Sequence, residues 1–148
     1  KMHYYKTYLS VFGIGYLPFA PGTFGSLIAL PVSWLLTSNI GVYATASLTI
    51  ILLLFGIIFT NKLIDKNKDP SWIVMDEVCG QLLVLVFMEI SIIYYIFSFI
   101  LFRIFDILKP WPINLIDKSM KNSFGIFFDD IMAAIFSIIT INLFMFIM

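Results

Sequence analysis

The chain has 148 residues, no formal net charge, 61 % hydrophobic residues and only 12 % charged ones, with a mean hydropathy of +1.00. A soluble domain carries roughly twice that charged fraction, so the composition predicts a membrane protein, or a very apolar protein that sits against a membrane, built as one domain over residues 1–148. Zero net charge excludes the basic footprint of a nucleic-acid binder, and a lone cysteine, Cys79, excludes an internal disulfide.

Residues Lys1 to Tyr8 read as a polar and aromatic surface lead-in. Pro18 and Pro21 interrupt any apolar core behind Lys1 and Lys6, so the start does not read as a signal peptide. Gly15 to Leu30 then runs Gly-Tyr-Leu-Pro-Phe-Ala-Pro-Gly-Thr-Phe-Gly-Ser-Leu-Ile-Ala-Leu, with three glycines and two prolines ahead of an uncharged apolar run. A loop of this composition feeding a helix leaves N–H groups unpaired at the positive end of the helix dipole, which suits an anion. Gly22 and Gly25 would let the backbone approach a phosphate, and Thr23 and Ser26 would add hydroxyl donors. The plainer reading of the same stretch is a turn and an N-cap.

No charged residue occurs from Thr7 through Asn61. That length holds two helices, with Ser38, Asn39 and Gly41 as the turn between them. The first, about Thr23 to Thr37, contains Pro31, which predicts a kink or a split. The second, Val42 to Thr60, approaches the ~20 residues that span a bilayer. A charged loop follows from Asn61 to Pro70. A third helix is predicted from Ser71, a good N-cap, to about Met88. A fourth runs from Ile92 to about Leu108 and is stopped by Pro110. Ile113, Ile116 and Met120 share a face, which predicts a short amphipathic helix at an interface. Asn122 to Gly125 read as a turn, and a last apolar helix runs from about Phe127. The expected fold is all-α: about five apolar helices in a multi-pass membrane bundle.

Charge placement orients that bundle. If five helices alternate from a cytoplasmic N-terminus, all nine Lys and Arg fall on the cytoplasmic side or at helix ends facing it. The opposite turns, near Asn39 and Glu89, have none, which is the positive-inside pattern.

Three ionisable groups interrupt the apolar helices: Asp76-Glu77, Arg103 with Asp106 and Lys109, and Asp129-Asp130. In the alternating arrangement all three lie at cytoplasmic helix ends, level with Gly22–Ser26. An ionisable group at mid-bilayer costs roughly 2.5–3.5 kcal/mol on insertion scales. Gathered carboxylates add mutual repulsion and persist only by facing one another, water or a cation. Paired carboxylates with few other donors suit Mg²⁺, so Asp76, Glu77, Asp129 and Asp130 are candidate metal ligands. In each adjacent pair, only one side chain is expected to point squarely at a given partner. Arg103 and Lys109 offer positive charge to a phosphate. Asp106 or one of the paired acids would act as base or nucleophile, so all five acids are catalytic candidates. Each piece has a plainer reading, as dipole compensation, an i,i+3 ion pair or a snorkelling lysine.

Other phosphate chemistries are excluded. His3 is the only histidine, so neither a multi-histidine phosphatase nor a histidine metal cluster fits. Cys79 has no arginine at the spacing of a cysteine phosphatase. There is no Asp-x-Asp pair and no GxxxxGK[ST] loop.

The residues Gly15 to Leu27, Asp76-Glu77 with Gly80, Phe102-Arg103 through Asp106 to Lys109-Pro110-Trp111-Pro112-Ile113, and Gly125 through Asp129-Asp130 resemble the phosphatidylglycerophosphatase A family. The resemblance spans most of the chain in order. One departure is Ala133-Ala134, where the family usually has Ala-Gly. The resemblance implies a Mg²⁺-dependent phosphatase of the bacterial inner membrane, with its site facing the cytoplasm. Its substrate would be a phospholipid, phosphatidylglycerophosphate, hydrolysed to phosphatidylglycerol and inorganic phosphate. The rival reading is a non-enzymatic cation carrier lined by the same carboxylates, which would need them along a path open to both faces.

Overall fold

A computed structural model describes residues 2–63, 70–119 and 122–148. Among the described residues there are seven α-helices and no strand: α1 (Met2–Leu9), α2 (Pro21–Asn39), α3 (Val42–Leu63), α4 (Met75–Val86), α5 (Ile92–Leu108), α6 (Ile113–Ser119) and α7 (Ser123–Ile147). A single 3₁₀ turn, Ile14–Tyr16, leads into α2.

The centre is α4. Nine of its twelve residues are buried, including Asp76, Gly80 and Gln81. Twelve residues make a rod of about 18 Å, too short to cross a hydrocarbon core of roughly 30 Å. Helices α2, α3, α5 and α7 all pack around it. Gly80 permits the closest approach. A Cβ there would stand 2.6 Å from the Phe102 ring of α5 and 3.1 Å from the Asp130 carbonyl oxygen of α7.

Polarity runs inside out relative to a soluble bundle. Ser33, Thr45, Thr49, Ser98 and Ser137 are buried, while Ile50, Ile51, Leu54, Ile93, Ile96, Ile139 and Leu143 are exposed. These five hydroxyls are satisfied within the protein, whereas the equally buried Thr60 Oγ1 has no partner. Ser137 donates to the Ala133 carbonyl at 2.9 Å, Thr49 to the Thr45 carbonyl at 2.8 Å, and the Ser33 and Tyr95 hydroxyls meet at 3.0 Å. Small hydroxyl residues inside and large aliphatics outside are what a lipid solvent selects. Two helices, α3 and α7, are long and apolar enough to cross a membrane, and only 17 % and 28 % of their apolar stretches are buried.

Several boundaries differ from the sequence expectation. The lead-in is a helix, α1, because Tyr5 and Tyr8 pack on Phe59 and the Tyr8 hydroxyl donates to the Leu52 carbonyl at 2.7 Å. Helix α2 runs unbroken through Pro31. One missing N–H is outweighed by packing along α3 and α4. Ser71 does not cap α4. The Val74 N–H bonds the Leu9 carbonyl at 3.0 Å and the Ile73 N–H bonds the Pro70 carbonyl at 3.2 Å, so 70–74 is a turn tied to the end of α1. The turn expected at Asn122–Gly125 is the capped start of α7, where the Asn122 Oδ1 accepts from the Gly125 N–H at 2.8 Å. Helix α5 matches its expected bounds. Most of the charged loop and Met120 lie outside the described residues.

Because Gly80 sets the spacing of α4 against both α5 and α7, Gly80→Ala is expected to lower stability by about 1–3 kcal/mol. Thermal unfolding in detergent checks this, and an unchanged midpoint would show that the helices have room to spare.

Candidate active site

Four helix ends meet at one cavity of ≈ 450 Å³. The first turn of α4 brings Asp76 and Glu77, and the last turns of α5 bring Arg103 and Asp106. Lys109 caps α5 in a left-handed conformation, φ 48°. The second turn of α7 brings Asp129 and Asp130, and the first turn of α2 brings Gly22. All of these residues line the cavity, with Ala20, Pro21, Pro70, Ser71, Ile73 and Ile107 beside them.

The basic groups hold the outer carboxylates. Arg103 and Asp106 are one helical turn apart, and the Arg103 Nη1 lies 2.9 Å from the Asp106 Oδ2. The Lys109 Nζ lies 3.0 Å from the Asp129 Oδ2 and 3.6 Å from the Asp106 Oδ1. Burial alone would lower the Lys109 pKa, but the charges of Asp106 and Asp129 outweigh it and raise it, so the ammonium persists. Burial, reinforced by the charge of Asp76, pushes the Glu77 carboxyl well above the usual carboxylate range.

The inner carboxylates are differently placed. Asp76 and Asp130 are 6 % and 1 % exposed. The Asp76 Oδ1, the Glu77 Oε2 and the Asp130 Oδ1 are buried without any hydrogen-bond partner. An unpaired buried charge is costly, so these oxygens call for a cation. Oxygens of Asp76, Asp129 and Asp130 lie within 4.8 Å of one another, as do those of Glu77, Asp106 and Asp130. Oxygens on opposite sides of a Mg²⁺ ion are about 4.2 Å apart. The all-oxygen donor set therefore fits a hard divalent ion. Asp76 and Glu77 fall in different groups, in line with one side chain of a pair per partner, whereas Asp129 and Asp130 both join the first group. Neighbours on a helix point about 100° apart, and the cavity is wide enough to receive both.

The glycine-rich stretch takes a different form from the expected loop. Gly22 to Ser26 form the first turn of α2 itself, because Pro21 starts the helix. Ala20 offers no side-chain cap, and the Phe24 N–H bonds the Ala20 carbonyl at 3.2 Å. The Gly22 and Thr23 amides are thus the free donors of that turn. A Cβ on Gly22 would stand 2.9 Å from the Glu77 Oε1 and 3.3 Å from the Arg103 Nη2. Gly25 faces elsewhere, with a Cβ there 3.2 Å from the Val74 carbonyl oxygen. Ser26 is buried, and its Oγ accepts from the Arg103 Nη1 at 3.4 Å. Thr23 is half-buried and outside the cavity lining.

Sequence reasoning missed three contributors. Ile73 and Ser71 line the cavity because 70–74 is a turn and not a helix. Asp117 of α6 reaches the Lys109 Nζ at 4.0 Å. Its place off the apolar face of α6 suggested only solvent, and nothing local marked Lys109 as its neighbour.

The family described as phosphatidylglycerophosphatase A matches residues 7–145. The phosphatidylglycerophosphatase A of Haemophilus influenzae is 38 % identical over 133 residues, covering 88 % of this chain and 82 % of that protein. A Bacteroides thetaiotaomicron protein provisionally named phosphatidylinositol-3-phosphatase is 36 % identical over 138 residues, covering 88 % and 86 %. The phosphatidylglycerophosphatase A of Escherichia coli is 32 % identical over 133 residues, covering 85 % and 74 %. No solved structure matches the chain. With the match running from α1 to the end of α7 and taking in every lining residue of the charged cavity, the chain belongs to the phosphatidylglycerophosphatase A family.

Proposed function

We propose that this protein is a Mg²⁺-dependent phosphatase of the bacterial inner membrane that hydrolyses phosphatidylglycerophosphate to phosphatidylglycerol and inorganic phosphate. One observation carries the reading: buried carboxylate oxygens without partners share a single cavity with Arg103 and Lys109. Acids alone would repel a phosphate. Acids that hold a cation, beside two bases, would bind it.

Asp76, Glu77, Asp129 and Asp130 would hold the metal, with Asp106 beside them. Bound there, Mg²⁺ would neutralise phosphoryl oxygens and lower the pKa of a water. Arg103 and Lys109 face the cavity and would take the remaining phosphoryl oxygens, stabilising charge as the ester bond breaks. The Gly22 and Thr23 amides would add donors at the positive end of α2. Asp106, ion-paired with both bases, would accept the proton of an attacking water. Alternatively it would attack phosphorus itself, which leaves phosphate trapped on an aspartate, visible by mass spectrometry.

We infer a multi-pass arrangement with the cavity at the cytoplasmic face. Lys62 near the end of α3, Lys109 at the end of α5 and Lys118 in α6 agree with the positive-inside pattern. The carrier reading fares worse. Beyond Asp130 the rest of α7 carries no charge, and α5 carries none before Arg103. Among the described residues no line of carboxylates leads away from the cavity.

Purified protein should release phosphate from phosphatidylglycerophosphate only with Mg²⁺ present. Phosphatidylinositol-3-phosphate in parallel tests the headgroup named for the Bacteroides relative. No release from either lipid would overturn the assignment.

Asp76→Asn, Asp129→Asn and Asp130→Asn are each expected to lower kcat by at least about 10²-fold. Without metal they should unfold no earlier than the parent, because each substitution relieves repulsion. Full activity with an unchanged Mg²⁺ titration in all three would remove these acids from the site.

Gly22→Val should cut kcat at least about 10-fold by displacing the Glu77 and Arg103 side chains, with little change in unfolding midpoint. Normal turnover in a folded Gly22→Val protein would leave phosphate binding to Arg103 and Lys109 alone.

Cys79 is buried, so Lys118→Cys would supply the accessible thiol. A membrane-impermeant maleimide should fail to label it in intact cells and succeed in inverted vesicles. Efficient labelling from outside would reverse the topology.

A further inference from the structure

We propose that the cavity binds two divalent cations side by side, with Asp130 bridging them; this rests on the metal-dependent reading above and specifies its stoichiometry. Two overlapping sets of carboxylates carry the proposal. Asp76, Asp129 and Asp130 form one, and Glu77, Asp106 and Asp130 form the other. Asp130 alone belongs to both, and a carboxylate has an oxygen for each of two ions. Two-metal phosphoryl-transfer sites hold their ions about 3.5–4 Å apart, a separation that one bridging carboxylate spans.

The unpartnered oxygens supply an independent argument. They sit on residues split between the two sets: Asp76 belongs to the first, Glu77 to the second, and Asp130 to both. A single ion in the first set leaves the Glu77 oxygen buried and unpaired. A single ion in the second leaves the Asp76 oxygen in that condition. Two ions, one in each set, reach all three residues. The outer ligands need no such help, since Lys109 holds Asp129 at 3.0 Å and Arg103 holds Asp106 at 2.9 Å.

Charge points the same way. The cavity is lined by five acids and two bases, a formal charge of three negatives. One divalent cation leaves one negative charge, and the site would still repel a phosphate monoester dianion. A second makes the site positive. The two centres are also unequal. Glu77 lies beside Gly22, and Arg103 joins Gly22 to Asp106. The second set therefore adjoins the phosphate-binding side, and the first lies deeper, between α4 and α7.

Metal-free protein titrated with Mn²⁺ tests this without reference to turnover. Bound metal is counted by elemental analysis, and electron paramagnetic resonance reports whether the ions are coupled. The parent should bind two Mn²⁺ per chain with the spectrum of an exchange-coupled pair. Glu77→Gln should bind one, giving an isolated-ion spectrum, and Asp76→Asn should do the same from the other side. Asp130→Asn should lose the coupled signal altogether. If Asp130→Asn does not fold, the two single-set variants decide alone. One uncoupled Mn²⁺ per parent chain overturns the two-ion proposal and leaves a one-metal phosphatase standing. No bound Mn²⁺, with phosphate release independent of metal, overturns both.

Discussion

Like-charge repulsion among five buried or half-buried carboxylates is the interaction on which the structure turns. Asp76 and Glu77 begin α4, Asp129 and Asp130 lie in the second turn of α7, and Asp106 ends α5. None can be removed from the others without separating helices that the apolar core holds together. Gly80 makes the conflict sharper. By bringing α7 and the Phe102 ring against α4, it brings Asp130 to Asp76. A fold selected for stability alone would place an aliphatic at one of these positions. Keeping the acids trades stability for a charged cavity where the helix ends meet.

Arg103 and Lys109 resolve half of that conflict, and their placement shows how. Each lies on the cavity wall formed by α5, so they compensate Asp106 and Asp129 and leave the α4–α7 side uncompensated. Lys109 reaches inward because it leaves the helix in a left-handed conformation. The turn of chain that follows folds back, bringing Asp117 of α6 to the same ammonium. The amphipathic helix is thereby tied to the site by charge as well as by Ile113, which is fully buried.

The sequence made some of this legible and hid the rest, for identifiable reasons. Helix α5 was readable to the residue because an apolar run ends at Lys109-Pro110, and proline enforces the stop. The convergence of Asp76, Arg103, Asp106, Lys109, Asp129 and Asp130 was readable because charges are rare in so apolar a chain. Alternating helices then bring their ends together. The start of α4 was misread because Ser71 has the chemistry of a cap, whereas long-range hydrogen bonds to α1 decide the local path. Gly25 and Ser26 resembled phosphate ligands because composition does not report direction. Once Pro21 starts the helix, the 3.6-residue repeat carries Gly25 to Val74 and Ser26 to Arg103. Helix α1 had no readable pattern at all. Its stability comes from aromatic contacts with α3, which lies far away in sequence.

The position of the cavity within the bundle follows from the same physics. Charged groups crowd one end, and the helices leading away from it present Ile, Leu and Phe to their surroundings. A lipid phosphate cannot leave the headgroup region cheaply, because its charge is costly in hydrocarbon and its acyl chains are costly in water. An enzyme for such a substrate must therefore bring its charges to headgroup depth while its walls stay apolar. Ile107, a cavity-lining residue, is 63 % exposed, and Leu108 and Trp111 beside it are each 73 % exposed. On the proposed reading, an apolar lip of this kind against a charged floor would let acyl chains remain in lipid while the phosphate reached Arg103 and Lys109. The short α4 belongs to the same logic: a helix that starts at the acids and stops after twelve residues supports the floor of the site without spanning the membrane beneath it.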